Sequence, residues 1–181
     1  FMSYDAACYL SNRICAIASV AGSMIQTHVN SCSPLHPTPV MEIHGTADGT
    51  VPYNGYSSFL PVDTIVKHWV QFNNCAPTIT MLPNINITDG CTAEHHIYTG
   101  GENGSTVELY KIIGGGHSWP GAPINFNVTN MDFSASTEIW RFFSEFKLND
   151  LTNINSYNNK QLIQIYPNPS YNKFILNFNN Y

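Results

Sequence analysis

The sequence predicts an α/β layered fold, built on a mostly parallel sheet flanked by helices. Two kinds of segment carry that reading. Short apolar runs, Ile14-Cys15-Ala16-Ile17-Ala18-Ser19-Val20-Ala21 and Val40-Met41-Glu42-Ile43-His44, each end at a glycine, as buried parallel strands do. Other segments have helical spacing: Ile65, Val66, Trp69, Val70 and Phe72 in one, and Ile139, Trp140, Phe142, Phe143 and Phe146 in another. The alternation of the two periods is the third observation, and it points to layers of helix on sheet.

Taken in order, Phe1 to Leu10 is apolar over nearly all its surface and reads as a buried helix, stopped by Ser11-Asn12. The run ending at Gly22 is the first strand. Ser23 to Pro39 reads as loop, with Cys32 and three prolines. Val40 to His44 is the next strand, and Gly45 to Gly55 the loop after it. Pro61 suits the first turn of a helix that reaches about Asn73. Ile79 to Leu82 and Glu94 to Tyr98 are short strands, Gly100-Gly101-Glu102-Asn103-Gly104 a hairpin turn, and Thr106 to Ile113 the last main strand. Ser134 to Phe146 is a helix whose core side carries Ile139, Trp140, Phe142, Phe143 and Phe146.

Composition then changes. Residues 1–146 form one domain, 147–162 an asparagine-rich linker, and 163–181 a pair of strands that stops before it could close a core. The chain opens at Phe1, mid-pattern and without an initiator methionine, so both ends read as truncated.

Several function classes fall away. A net charge of −5 without a Lys/Arg run argues against a nucleic-acid partner. No apolar stretch has the ~20 residues of a membrane span. Cysteines at 8, 15, 32, 75 and 91 lack the paired spacing of a zinc site. His95 and His96, on opposite faces of a strand, make a poor chelate and read as surface. No metal or cofactor is expected.

The chemistry gathers at two loops. Gly114-Gly115-Gly116-His117-Ser118-Trp119-Pro120-Gly121 follows a strand and delivers a histidine on a loop. His44-Gly45-Thr46-Ala47-Asp48-Gly49-Thr50-Val51-Pro52-Tyr53 carries an acid shortly after another strand. Loops at the carboxyl ends of parallel strands converge on one crevice, so Asp48 and His117 are expected to meet. The order acid-then-histidine matches the last two members of Ser…Asp…His. Spacing alone also suits a histidine in a glycine-rich turn. Asp5, Asp63, Asp89 and Asp132 are rival acids, the last three with ordinary helix-start or turn roles. Tyr53 and Trp119 adjoin acid and base, either lining a substrate pocket or packing beneath the loops.

These loops, with Phe1-Met2-Ser3-Tyr4 and Ala18-Ser19-Val20-Ala21-Gly22, resemble the C-terminal part of the α/β-hydrolases that include polyhydroxybutyrate depolymerases and feruloyl-esterase-like enzymes. The resemblance implies an α/β-hydrolase fold, Asp48 as triad acid and His117 as triad base. It also implies a G-x-S-x-G elbow just before Phe1, which this sequence does not contain. Ser3 has no flanking glycines and reads as a packed helical serine. The chain by itself is therefore expected to be inactive, as part of a serine esterase acting on a polyester or plant-wall ester. A peptidase of the same fold, and a non-catalytic surface or carbohydrate-binding module, are the competing readings.

Tyr166-Pro167-Asn168-Pro169 resembles the start of a type IX secretion sorting domain. That implies secretion to the cell surface or medium, with the secretion machinery as partner. In such a setting disulfides persist, and Cys75–Cys91 is expected, with Cys8–Cys32 as a weaker pair and Cys15 free.

Overall fold

The computed structural model describes residues 1–123 and 128–148. The expected linker beyond Leu148 and the whole sorting unit lie outside the described residues. Among the described residues four α-helices, α1 (Met2–Tyr9), α2 (Gln26–Ser31), α3 (Val62–Asn73) and α4 (Ala135–Ser144), accompany five strands. The strands are β1 (Ile17–Val20), β2 (Val40–Gly45), β3 (Ala76–Met81), β4 (Thr92–Thr99) and β5 (Val107–Ile113). They form one sheet in the order β1-β2-β5-β4-β3. β1, β2 and β5 pair in parallel, whereas β4 pairs antiparallel with both β5 and β3. Only β4 therefore runs against the rest, and the sheet is mixed but mostly parallel, an α/β-hydrolase-like arrangement. The reversal comes from the predicted Gly100–Gly104 turn, which returns β4 directly into β5.

Period-two alternation divides the core. Ile17, Val40, Val107 and Leu109 face α1 and α3, where Tyr4 stacks on Trp69. Met41, Ile43, Tyr110 and Ile112 face α4 through Phe142. α3 begins at Pro61, its N-cap, and ends on Asn74 in the left-handed conformation. The Ser134 hydroxyl caps α4 by accepting from the Thr137 N–H.

Three expectations about elements and side chains are corrected. Ser23 to Pro39 is not all loop, since it contains α2. Trp140 is 75 % exposed and not on the core side of α4. Two helical steps from the fully buried Phe142 rotate it about 200° around the axis. His95 is buried, not surface: it stacks on Tyr110 and bonds to Glu108, which Arg141 also engages. Burial alone would raise the Glu108 carboxyl; His95 and Arg141 together hold it below the ordinary range.

The cysteines pair otherwise than expected. Cys75 and Cys91 are free thiols. Cys75 lies just before β3, beside the Thr99 end of β4, and its Sγ donates to the Ser105 carbonyl. Cys91 precedes the Thr92 end of the same strand. At ~3.4 Å per residue the strand separates them by more than ~20 Å, far beyond the ~7 Å a disulfide can span. Burial raises both thiols, Cys91 to about 11. Cys8 and Cys32 do form a disulfide, with Cα atoms 4.6 Å apart. It ties α1 to the end of α2, beside a Tyr9–Ser31 hydrogen bond and an Asp5–His28 ion pair. Closing that loop contributes about 3 kcal/mol in the chain-entropy account. Cys15 is free, its thiol directed to the Phe146 carbonyl.

Candidate active site

Because β2 and β5 are parallel neighbours, the loops leaving their carboxyl ends lie side by side. They are knitted together by main chain. Thr46 N–H donates to the Ile112 carbonyl at 2.8 Å and Ala47 N–H to the Gly115 carbonyl at 2.9 Å. The Thr46 hydroxyl accepts from Gly114 N–H at 2.9 Å. Gly45 permits the approach, since a Cβ there would run into the Gly115 carbonyl and lie 2.6 Å from the Gly116 oxygen. Gly114 turns the chain with φ +83°.

The two loops bring Asp48 and His117 together. His117 Nδ1 donates to Asp48 Oδ2 at 2.9 Å. The other Asp48 oxygen accepts from the N–H groups of Thr50 and Val51, both at 2.8 Å. The carboxylate is thereby locked in plane, and its side chain has 0 % exposure. His117 is 38 % exposed, with Nε2 on the far side of the ring from Asp48. Its loop is braced from behind, where Gly116 N–H and the Ser118 hydroxyl both donate to the Val128 carbonyl. Asp89 and Asp132 hold the supporting segment: Asp89 accepts from Met131 N–H, and Asp132 from Ile85 and Asn86 N–H.

His117 borders two clefts. The larger, of about 420 Å³, is lined by Phe1, Met2, Ser3, Ser19, Gly22 and Thr50 among others. The smaller is lined by Val20, Ala21, Ser118 and Trp119 with His117. Trp119 is fixed by its indole N–H donating to the Ser136 hydroxyl. Tyr53 lines neither cleft. It is buried in the core, with its hydroxyl donating to Asp63 on α3, and that bond with burial raises the phenol strongly. The other rival acids are also engaged elsewhere. Ser3, set aside as a packed helical serine, is half-buried at the start of α1 and lines the larger cleft.

The sequence reading missed a buried polar set behind Asp48. Glu42 accepts from the Tyr4 hydroxyl at 2.6 Å and meets His44 Nδ1 at 2.9 Å. His44 Nε2 meets the Val51 carbonyl at 2.8 Å and Asp48 Oδ2 at 3.4 Å. Its signal was present: Glu42 and His44 are two apart in an otherwise apolar strand, hence on one face.

No family model matches the chain. Over 128 residues, 65% of this chain, it is 33% identical to Feruloyl esterase B of Piromyces equi. The chain is related to an esterase. The aligned stretch spans 23% of that relative's length. Among the described residues no helix is long and apolar enough to cross a membrane, and no cluster of His, Cys, Asp and Glu would hold a metal ion.

Proposed function

We propose that the chain supplies the acid and base of a serine carboxylic-ester hydrolase. The observation that carries this reading is the Asp48–His117 hydrogen bond beside a cleft. The feruloyl-esterase relative supports an ester substrate and favours the phenolic plant-wall side of the expectation over polyesters. A cleft of about 420 Å³ suits an aryl or acyl group. Trp119, which lines the smaller cleft at His117, would bound an acyl or aromatic group there.

In this reading the nucleophile is a serine in a segment preceding Phe1. α1 starts at Met2, at the wall of the cleft shared with His117. The unsatisfied N–H groups of a helix start favour negative charge there. A serine entering this helix would attack the ester carbon while His117 Nε2 takes its proton. The oxyanion would develop at the helix start. Collapse breaks the C–O bond to the alcohol, which takes the proton from His117 and leaves an acyl-enzyme. Water, deprotonated by the same nitrogen, releases the acid and restores the serine. Asp48 fixes the Nδ1–H tautomer and offsets the charge of the imidazolium throughout.

Export is part of the same proposal. The Cys8–Cys32 disulfide supports an oxidising setting. The Tyr166-Pro167-Asn168-Pro169 motif is read as the address that secretion machinery takes up.

The test is covalent trapping with a fluorophosphonate, in which serine oxygen displaces fluoride from phosphorus. The protein extended N-terminally is expected to gain one adduct, on a serine before Phe1, and the 181-residue chain none. An adduct on Ser3, Ser19 or Ser118 would overturn the assignment of the nucleophile.

A further inference from the structure

Behind Asp48 the structure holds more charge than an acid–base pair requires. The Glu42 and His44 side chains are 1 % and 0 % exposed, and Asp48 is equally enclosed. Two carboxylates and one imidazole thus share a space closed to bulk solvent, with a second imidazole at its edge. Unpaired charge in such a place is costly, so the protons there can be counted.

The count starts at Val51. Its carbonyl can only accept, so His44 Nε2 carries a hydrogen and donates to it. The Tyr4 hydroxyl donates to Glu42 Oε2, which leaves Oε1 facing His44 Nδ1 at 2.9 Å. That contact needs one more proton. Held by Nδ1, it makes an imidazolium between two carboxylates; held by Oε1, it makes a neutral acid against a neutral ring. The Tyr4 donor leaves Glu42 Oε1 as an acceptor, and Asp48 Oδ2, 3.4 Å from the other ring nitrogen, favours positive charge on the ring.

The remaining neighbours do not reverse this. Tyr53 meets the His44 ring edge-on, at 5.8 Å between centroids. Lys111 of β5 is the strand partner of His44, with its ammonium 5.0 Å from the Tyr53 ring centre, and Asp63 of α3 takes the Tyr53 hydroxyl. Lys111 and Asp63 carry opposite charges.

We propose that the Glu42–His44 pair keeps a buried proton on His44, and that His44 is a positioning residue which shares Asp48 Oδ2 with His117. This rests on the reading of Asp48 and His117 as acid and base. His44 then acts in two ways. It attracts Oδ2, the oxygen that the Thr50 and Val51 N–H groups leave free, by charge across 3.4 Å, and so steadies it toward His117. Its positive charge also disfavours a second proton on His117, so that the base stays free to lower pH. In accord, burial alone would lower His44, but Glu42, the Val51 carbonyl and Asp48 together raise it.

Nitrogen-15 and proton NMR of the 181-residue chain tests this without requiring turnover. In the wild type at pH 7, His44 is expected to carry protons on both ring nitrogens. In Glu42→Gln the amide offers a donor to Nδ1, so only Nε2 should stay protonated. The His117 titration midpoint should then rise, because the nearer positive charge is lost along with the more distant negative charge of Glu42. His44→Gln removes the same charge by another route and carries the same expectation for His117, should the first variant not fold. A singly protonated His44 in the wild type, or a His117 midpoint unmoved in a folded variant, would overturn the proposal. In the N-terminally extended enzyme the acid limb of kcat/KM should move up with that midpoint. An extended protein that shows the NMR coupling but no ester turnover would sink the esterase reading and leave the coupling standing.

Discussion

Replacing Asp48 by asparagine in the N-terminally extended enzyme is expected to lower kcat about 10⁴-fold with little change in KM. The reason lies in the donors around the carboxylate. Thr50 and Val51 N–H groups claim one oxygen, so the asparagine carbonyl must face them and its amide must face His117. An N–H aimed at Nδ1 forces the ring into the tautomer that carries its hydrogen on Nε2. That nitrogen can no longer take a serine's proton. Steady-state kinetics on an aryl ester gives the magnitude. A loss below about tenfold would mean that Asp48 does not set the tautomer.

Gly45→Ala is expected to damage fold and site together. The added methyl meets the Gly115 carbonyl, and main chain cannot yield as a side-chain tip does. Such overpacking costs about 1–3 kcal/mol, with the upper end expected here. The strain falls on the hydrogen bonds that join the two loops, so Asp48 and His117 would separate. A displacement of about 1 Å can cost roughly 10²-fold in turnover. Gly49→Ala is the control, because a Cβ there has nothing within 4 Å. Thermal melts and kinetics of the two variants should differ sharply. Equal behaviour would show that the close approach at Gly45 is not what holds the loops together.

These expectations depend on features that were legible in the sequence to different degrees. Asp48 and His117 could be found because each follows a strand-like run and a glycine, and parallel strands send their loops to one edge. α3, β2, β5 and α4 were legible for the same reason, having strong periodicity between clear turn residues. The cysteines were legible in part: Cys8–Cys32 forms as expected, Cys75–Cys91 does not. Cys75 and Cys91 bracket β3 and the loop after it, and sequence separation does not show that they sit at opposite ends of β4. Tyr53 adjoins the acid loop in sequence, but its side chain turns inward to Asp63. Trp140 and His95 were misplaced by assigning a side by residue type: an aromatic next to an inward one, and a polar ring that burial tolerates because Glu108 pairs with it. The Glu42–His44 pair was visible only as two polar residues on one face of a buried strand. Its partner Tyr4 comes from a distant helix, which no local pattern reveals.

The central claim is that His117 is the base of an ester hydrolase whose nucleophile precedes Phe1. The most direct measurement is kcat/KM for a phenolic-acid ester such as methyl ferulate, in the N-terminally extended protein and its His117→Ala variant, with the 181-residue chain alongside. Turnover by the extended protein is expected, with a loss of several orders of magnitude in the variant and no turnover by the shorter chain. Turnover that survives His117→Ala, or that the shorter chain supports by itself, would contradict it.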